Sequence, residues 1–174
     1  MKLKNSPFIF ILLYLSSCGV VKYGFKDGAS KYDTNRKILI TQFENNSGKG
    51  PPDMTATLTE KTKDYYLQNG DFTVVTLNEN LHLSCEIVSY EVDYSGANSS
   101  ETAQQYKLTI AVKVTFLDYL APLEKDKKVE KNISNFDFFD PSQTLEDVES
   151  ELIESIADKL IMDIFNETTT TTEW

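Results

Sequence analysis

"YKLTIAVKVTF", residues 106–116, alternates without a fault: Tyr106, Leu108, Ile110, Val112, Val114 and Phe116 on one side, Lys107, Thr109, Lys113 and Thr115 on the other. A period of two with one apolar side is the pattern of a β-strand lying on a core with its opposite face in water. Working outward, "VEKNISNFDFF" (129–139) reads as its antiparallel partner, across a turn, "LAPLEKDKK", whose proline and charges cannot continue a strand. On the other side, "LHLSCEIVSYEVDY" (81–94) carries Leu81, Leu83, Cys85 and Ile87 on one face, then moves its apolar set to Val88, Tyr90, Val92 and Tyr94. That change of phase predicts a bulge near Ile87.

Upstream, "KILITQF" (37–43) reads as a buried strand and "DFTVVT" (71–76) as a short one. Between them, residues 53–69 carry Met54, Leu58, Thr62 and Tyr65 at helical spacing, with Thr57 and Glu60 in a capping-box pattern and Gly70 as the stop. Downstream, Leu145, Val148, Leu152, Ile156, Leu160 and Ile164, flanked by Ile153, Ile161 and Phe165, recur at steps of three and four for more than five turns. Pro141, Thr144 with Asp147, and the acids Glu146 and Glu149 mark where that helix begins. One apolar sheet face and two striped helices predict an α+β two-layer sandwich: a mostly antiparallel sheet of four to five strands, both helices on one face, the other face polar.

The amino terminus has a different logic. Lys2 and Lys4 precede the apolar run "FIFILLYL" (8–15), which is far shorter than the roughly 20 residues needed to span a bilayer as a helix. Charge, apolar run and small residues are the layout of an export signal. Leu15-Ser16-Ser17-Cys18 has the form of a lipoprotein box, in which the cysteine thiol takes a diacylglyceryl group and becomes the mature amino terminus. Several acyl chains, palmitate among them, make a lasting anchor without a membrane span. The expected division is a signal peptide at 1–17, a lipidated tether at 18–36, one domain at 37–166 and a disordered tail at 167–174.

Loss of Lys2 and Lys4 with the signal takes the net charge from −10 to −12, which argues against a nucleic-acid partner. Cys85 is then the sole remaining thiol, so no internal disulfide is expected, and its place in the apolar phase marks it as a core filler. His82, Ser84 and Glu86 share one strand face, but neighbours two apart stand about 7 Å from one another, too far for a nucleophile and its base. One histidine leaves no usual zinc set, and no phosphate-binding glycine loop occurs, so neither metal nor cofactor is expected. Asp137, Asp140 and the acids at 146–154 read as caps and a solvated helix face. The sequons at Asn45, Asn98, Asn132 and Asn166 read as chance matches beside a bacterial lipoprotein box. The basic residues group as Lys22, Lys26, Lys31, Arg36 and Lys37 before the first strand, Lys125, Lys127, Lys128 and Lys131 about one hairpin, and Lys107 with Lys113 on the polar strand face. They suit either soluble strand edges or an anionic headgroup.

Taken together, "CGVVKYGF" with "GAS", "ITQFENNSGKGPPDMTATLTEKTKDYYLQN", "LHLSCEIVSYEV", "LTIAVKVTF" and "FDFFDPSQTLEDVESELIESIADKLIMDIFNE" resemble the LptE family of lipopolysaccharide-assembly lipoproteins in its Bacteroidetes form. Departures are Cys85, where the family would have glycine, and the threonine tail. The resemblance implies an outer-membrane lipoprotein on the periplasmic side that is not an enzyme. It would plug an LptD-type β-barrel, assist the barrel's assembly and take part in lipopolysaccharide transport to the outer leaflet. Cys18 carries over as the lipidation site; Lys107, Lys113, Lys125, Lys127 and Lys128 are the residues expected to meet lipopolysaccharide or the barrel. The polar connections at 95–105 and 121–128 are expected to project from one end of the sheet into the barrel. The alternatives are an adaptor lipoprotein of another envelope complex and, more remotely, a small periplasmic hydrolase.

Overall fold

The computed structural model describes residues 36–95, 105–121, 123 and 128–169. The signal peptide, Cys18, the loop at 96–104, Lys125, Lys127 and Trp174 lie outside the described residues.

Among the described residues, six strands and two helices follow in the order β1 (Arg36–Ile40), β2 (Glu44–Asn45), α1 (Met54–Asn69), β3 (Phe72–Val74), β4 (Leu81–Ser95), β5 (Gln105–Asp118), β6 (Lys128–Phe139) and α2 (Leu145–Thr169). They build one sheet in the order β3-β1-β4-β5-β6, with β2 pairing β4 beyond the end of β1. The α+β two-layer arrangement is as the sequence predicts, and α1 and α2 both cover one face. The sheet is mixed, however. β4, β5 and β6 form an antiparallel meander, whereas β1 is parallel to both β3 and β4, and β2 is parallel to β4. The physical reason is the helix between β1 and β3: a strand, a crossover helix and a strand close naturally into a parallel pair.

The alternation of β5 is realised residue by residue. Leu108, Ile110, Val112, Val114 and Phe116 are buried against the helices, and Lys107, Thr109, Lys113 and Thr115 face away. In β4 the buried positions run Leu81, Leu83, Cys85, Ile87 and then Tyr90. Pairing with β5 slips by one residue between Ile87 and Ser89, so Val88 is the extra residue of the predicted bulge. After the slip Tyr90 returns to the core face, where its hydroxyl donates to Glu149 Oε1 at 2.5 Å and ties the bend in β4 to the start of α2.

The α2 stripe is the other half of the core: Leu152, Ile153, Ile156, Ala157, Leu160, Ile161 and Ile164 are buried. Thr144 and Asp147 cap its start as expected, with the Asp147 amide donating to Thr144 Oγ1 and Thr144 Oγ1 donating to Asp147 Oδ2 at 2.6 Å. The helix runs to Thr169, so residues 167–169 are helical, and Thr168 is buried. Its polar flank is fastened to the inward face of β6: Asn135 donates to Asp163 at 2.7 Å, Lys131 pairs with Glu167 at 3.5 Å, and Asp137 accepts from Ser155 and pairs with Lys159.

In α1 the capping box at Thr57 and Glu60 is not realised. The helix opens at Met54 after Asp53, which makes no side-chain cap bond, and the Thr57 amide already donates to the Asp53 carbonyl at 2.9 Å. Pro51 and Pro52, just upstream, place the start a turn earlier than the motif suggests. Tyr66, rather than Tyr65, is the fully buried ring, its hydroxyl 2.5 Å from that of Thr168. Where the two helices meet, Phe165 packs edge to face with Tyr65, Tyr66 and Phe72, and Tyr66 is tilted against Phe72. Gly70 ends α1 in extended backbone, and a Cβ there would collide with the Phe72 ring, so glycine is favoured by close approach.

Candidate functional site

Three strands give the polar face its chemistry. β4 contributes His82, Ser84, Glu86, Ser89, Glu91 and Asp93; β5 contributes Lys107, Thr109, Lys113 and Thr115; β6 contributes Lys128, Glu130, Asn132, Phe136 and Phe138. Lys113 and Lys128 converge on Glu130, at 3.8 and 3.1 Å. The Lys128 ammonium, and more weakly Lys113, holds the Glu130 carboxyl below the usual carboxylate range. Lys107 lies apart from this group. Six residues along one strand put it about 20 Å from Lys113, with Asp93 at 3.9 Å and the Phe136 ring centroid at 5.5 Å.

Phe136 and Phe138 are what the sequence reading missed. Their rings meet edge to face at 5.3 Å on the outer face, 46% and 42% exposed, beside the Lys107 ammonium. The signal was in the parity of β6: Val129, Ile133 and Phe139 are odd and face the helices, so even-numbered phenylalanines in the same strand must face away.

The expectation that the two polar connections project from one end is overturned. Ser95 pairs with Gln105 at one end of the meander, and Leu117 with Lys128 at the other. Successive hairpins of an antiparallel meander must turn at opposite ends, here roughly 40 Å apart at 3.4 Å per residue. Lys128 therefore shares an end with Arg36, where the chain enters β1, while Lys107, Phe136 and Phe138 lie toward the far end.

The other residues singled out have local partners. His82 Nδ1 is 4.0 Å from Glu79, Ser84 follows it along the strand, and Glu86 accepts from Asn46 at 3.3 Å. Cys85 is buried at 2% exposure and desolvation pushes its thiol far up, as suits a small core residue. Asp137 and Asp140 line an open cleft of about 360 Å³ with Gln105, Phe139, Glu151 and Ser155. Burial raises the Asp137 carboxyl, but the Ser155 hydroxyl, the Phe138 amide and Lys159 outweigh it and hold it low; Ser142 does the same for Asp140. Both carboxylates thus have structural bonds that account for them. Among the described residues no three His, Cys, Asp or Glu side chains converge as a metal site requires.

These features define a two-layer α+β domain that presents an open, mixed-charge sheet face with an aromatic pair on it. Residues 36–168 match the LptE family, described as lipopolysaccharide-assembly, and the chain belongs to that family. Among solved structures, it is similar to the hypothetical protein CT253 from Chlamydia trachomatis, at 8% identity and a TM-score of 0.53, covering 77% of this chain and 95% of that one. A minor lipoprotein from Acinetobacter baumannii is 17% identical with a TM-score of 0.49, over 76% of this chain and 91% of that one. The first of these likenesses shows a shared fold. No curated protein matches the chain.

Proposed function

We propose that this chain is an outer-membrane lipoprotein, anchored through Cys18 on the periplasmic side, that seats in an LptD-type β-barrel, assists its assembly and takes part in delivering lipopolysaccharide to the outer leaflet. The observation that carries the reading is the family match over residues 36–168, downstream of a lipoprotein box at Leu15-Ser16-Ser17-Cys18. It acts by binding and not by catalysis.

The sheet's outer face supports the reading physically. Barrel lumens are lined with polar side chains, and this face offers hydroxyls, carboxylates and amines in rows that can bond to such a wall. Lys107 and Lys113 stand on it as candidate partners for lipid phosphates, and Phe136 beside Lys107 gives an acyl chain or sugar ring a surface to lie on. The aromatic end, remote from Arg36, is the end that enters the barrel. Lys128 pairs with Leu117 at the opposite end of the meander and so belongs with the anchored end. The test is depletion in the native organism: lipopolysaccharide should stop reaching the cell surface and accumulate inside, and a Lys107→Glu, Lys113→Glu chain should restore transport poorly while folding normally. Unchanged surface lipopolysaccharide after depletion would refute the reading.

A further inference from the structure

At the end of the sheet where the chain enters β1, apolar side chains stand in the open. Leu77 is 76% exposed, Tyr119 50%, Leu120 55% and Leu123 52%. Such residues on a turn are costly to display in water unless something covers them. The placement of Leu77, Tyr119 and Leu120 is built. Asp118, only 5% exposed, accepts from the Arg36 guanidinium at 3.1 Å with one carboxylate oxygen and from the Leu120 amide at 2.9 Å with the other. Asn80, three residues after Leu77, donates its amide to the Lys37 carbonyl at 2.8 Å and accepts from the Tyr119 amide at 2.9 Å. The loop of Leu77, the turn of Tyr119 and Leu120 and the first residues of β1 are therefore one bonded unit.

Arg36 is also where the upstream chain joins the domain. From Cys18 to Arg36 that chain reaches about 60 Å when fully extended, so a lipid on Cys18 brings the domain to a membrane without orienting it. We propose that the rim formed by Leu77, Tyr119, Leu120 and Leu123 rests in the interfacial layer of the bilayer that holds the anchor, so that the domain stands on its Arg36 end with its aromatic end pointing away. The occupant is the bilayer surface because the tether delivers that surface to this end. Tyrosine with leucines, beside the exposed Lys37 and Lys128, is also the composition that suits the boundary between acyl chains and anionic headgroups. The inference rests on lipidation of Cys18, and it supplies what the anchor alone lacks, a fixed orientation of the opposite end.

The test uses the full chain in vesicles of phosphatidylethanolamine and phosphatidylglycerol at three to one. An environment-sensitive fluorophore is attached at Leu120→Cys or, as an exposed apolar control at the opposite end, at Phe138→Cys; Cys85 is buried and does not label under native conditions. Lipids carrying a shallow spin-label quencher should reduce the signal at position 120 at least threefold more than at 138. Equal quenching at both positions, or none at either, overturns the rim, as does a blue shift at 120 that grows with protein concentration and ignores the quencher, which would assign the rim to a second copy. The mass of the amino-terminal peptide reports lipidation separately. Should it carry no lipid, the anchor reading falls, and the same ratio measured on the Cys18→Ser chain with excess vesicles decides the rim alone.

Discussion

Ile156→Ala probes the packing on which the domain stands. Ile156 is 0% exposed, at the middle of α2, facing a sheet whose strand β5 is laddered on both sides by β4 and β6. Replacing it with alanine leaves a void that neither the helix nor the laddered sheet can readily close by moving. Buried isoleucine-to-alanine changes cost about 2–5 kcal/mol, with the upper part of that range where the site cannot collapse. We expect about 3–4 kcal/mol, a fall in Tm of roughly 10 °C for a domain of this size. The assay is thermal and urea unfolding of the soluble Cys18→Ser chain by circular dichroism. Met162→Ala, on the same helix but 46% exposed, is the control and should stay within about 0.5 kcal/mol of the parent. An unchanged Tm for Ile156→Ala, or equal losses for both variants, would mean that the stripe does not pack on the sheet as described.

Tyr66→Phe removes the hydroxyl that joins α1 to α2 through Thr168, which keeps its bond to the Ile164 carbonyl, so urea unfolding should show a loss of about 1 kcal/mol. Gly70→Ala should cost about 1–3 kcal/mol by pushing Phe72 out of the aromatic cluster with Tyr66 and Phe165, visible as altered near-ultraviolet circular dichroism as well as a lower Tm. Asp137 is held below its ordinary value in the folded chain, so its contribution is fully present above the unfolded value, about pH 4, and is lost as the pH falls through the lower folded one. Asp137→Asn should therefore lower stability at pH 7 and flatten its decline below pH 4 in acid titrations.

What the sequence disclosed and what it hid divide along a physical line. The β5 alternation, the bulge at Val88 and the α2 stripe are periodic signals within single elements, and each appears in the structure at the residues that carry it. The parallel pairing of β1 is a relation between elements remote in sequence. Its one clue, a helix between two apolar runs, was outweighed by the antiparallel pattern downstream. The Thr57 and Glu60 motif failed because a four-residue pattern is weak against a double proline, which sets the helix start by steric exclusion. The ends of the sheet at which the loops emerge follow from meander geometry, so their separation was deducible once β4, β5 and β6 had been read as consecutive hairpins. Phe136 and Phe138 were likewise legible from parity. The Arg36–Asp118–Leu120 unit was not, since no pattern in sequence links position 36 to position 118.

The central claim, an LptE-type lipoprotein seated in an outer-membrane barrel by the end remote from its anchor, is tested most directly by photocrosslinking in living cells. A photoreactive residue at Phe138, on the aromatic end, should capture a large heat-modifiable β-barrel, and the same residue at Met162, exposed on the helical layer, should capture it far less. Failure to capture any barrel from Phe138, with the chain present in the outer membrane at its normal level, would contradict the account.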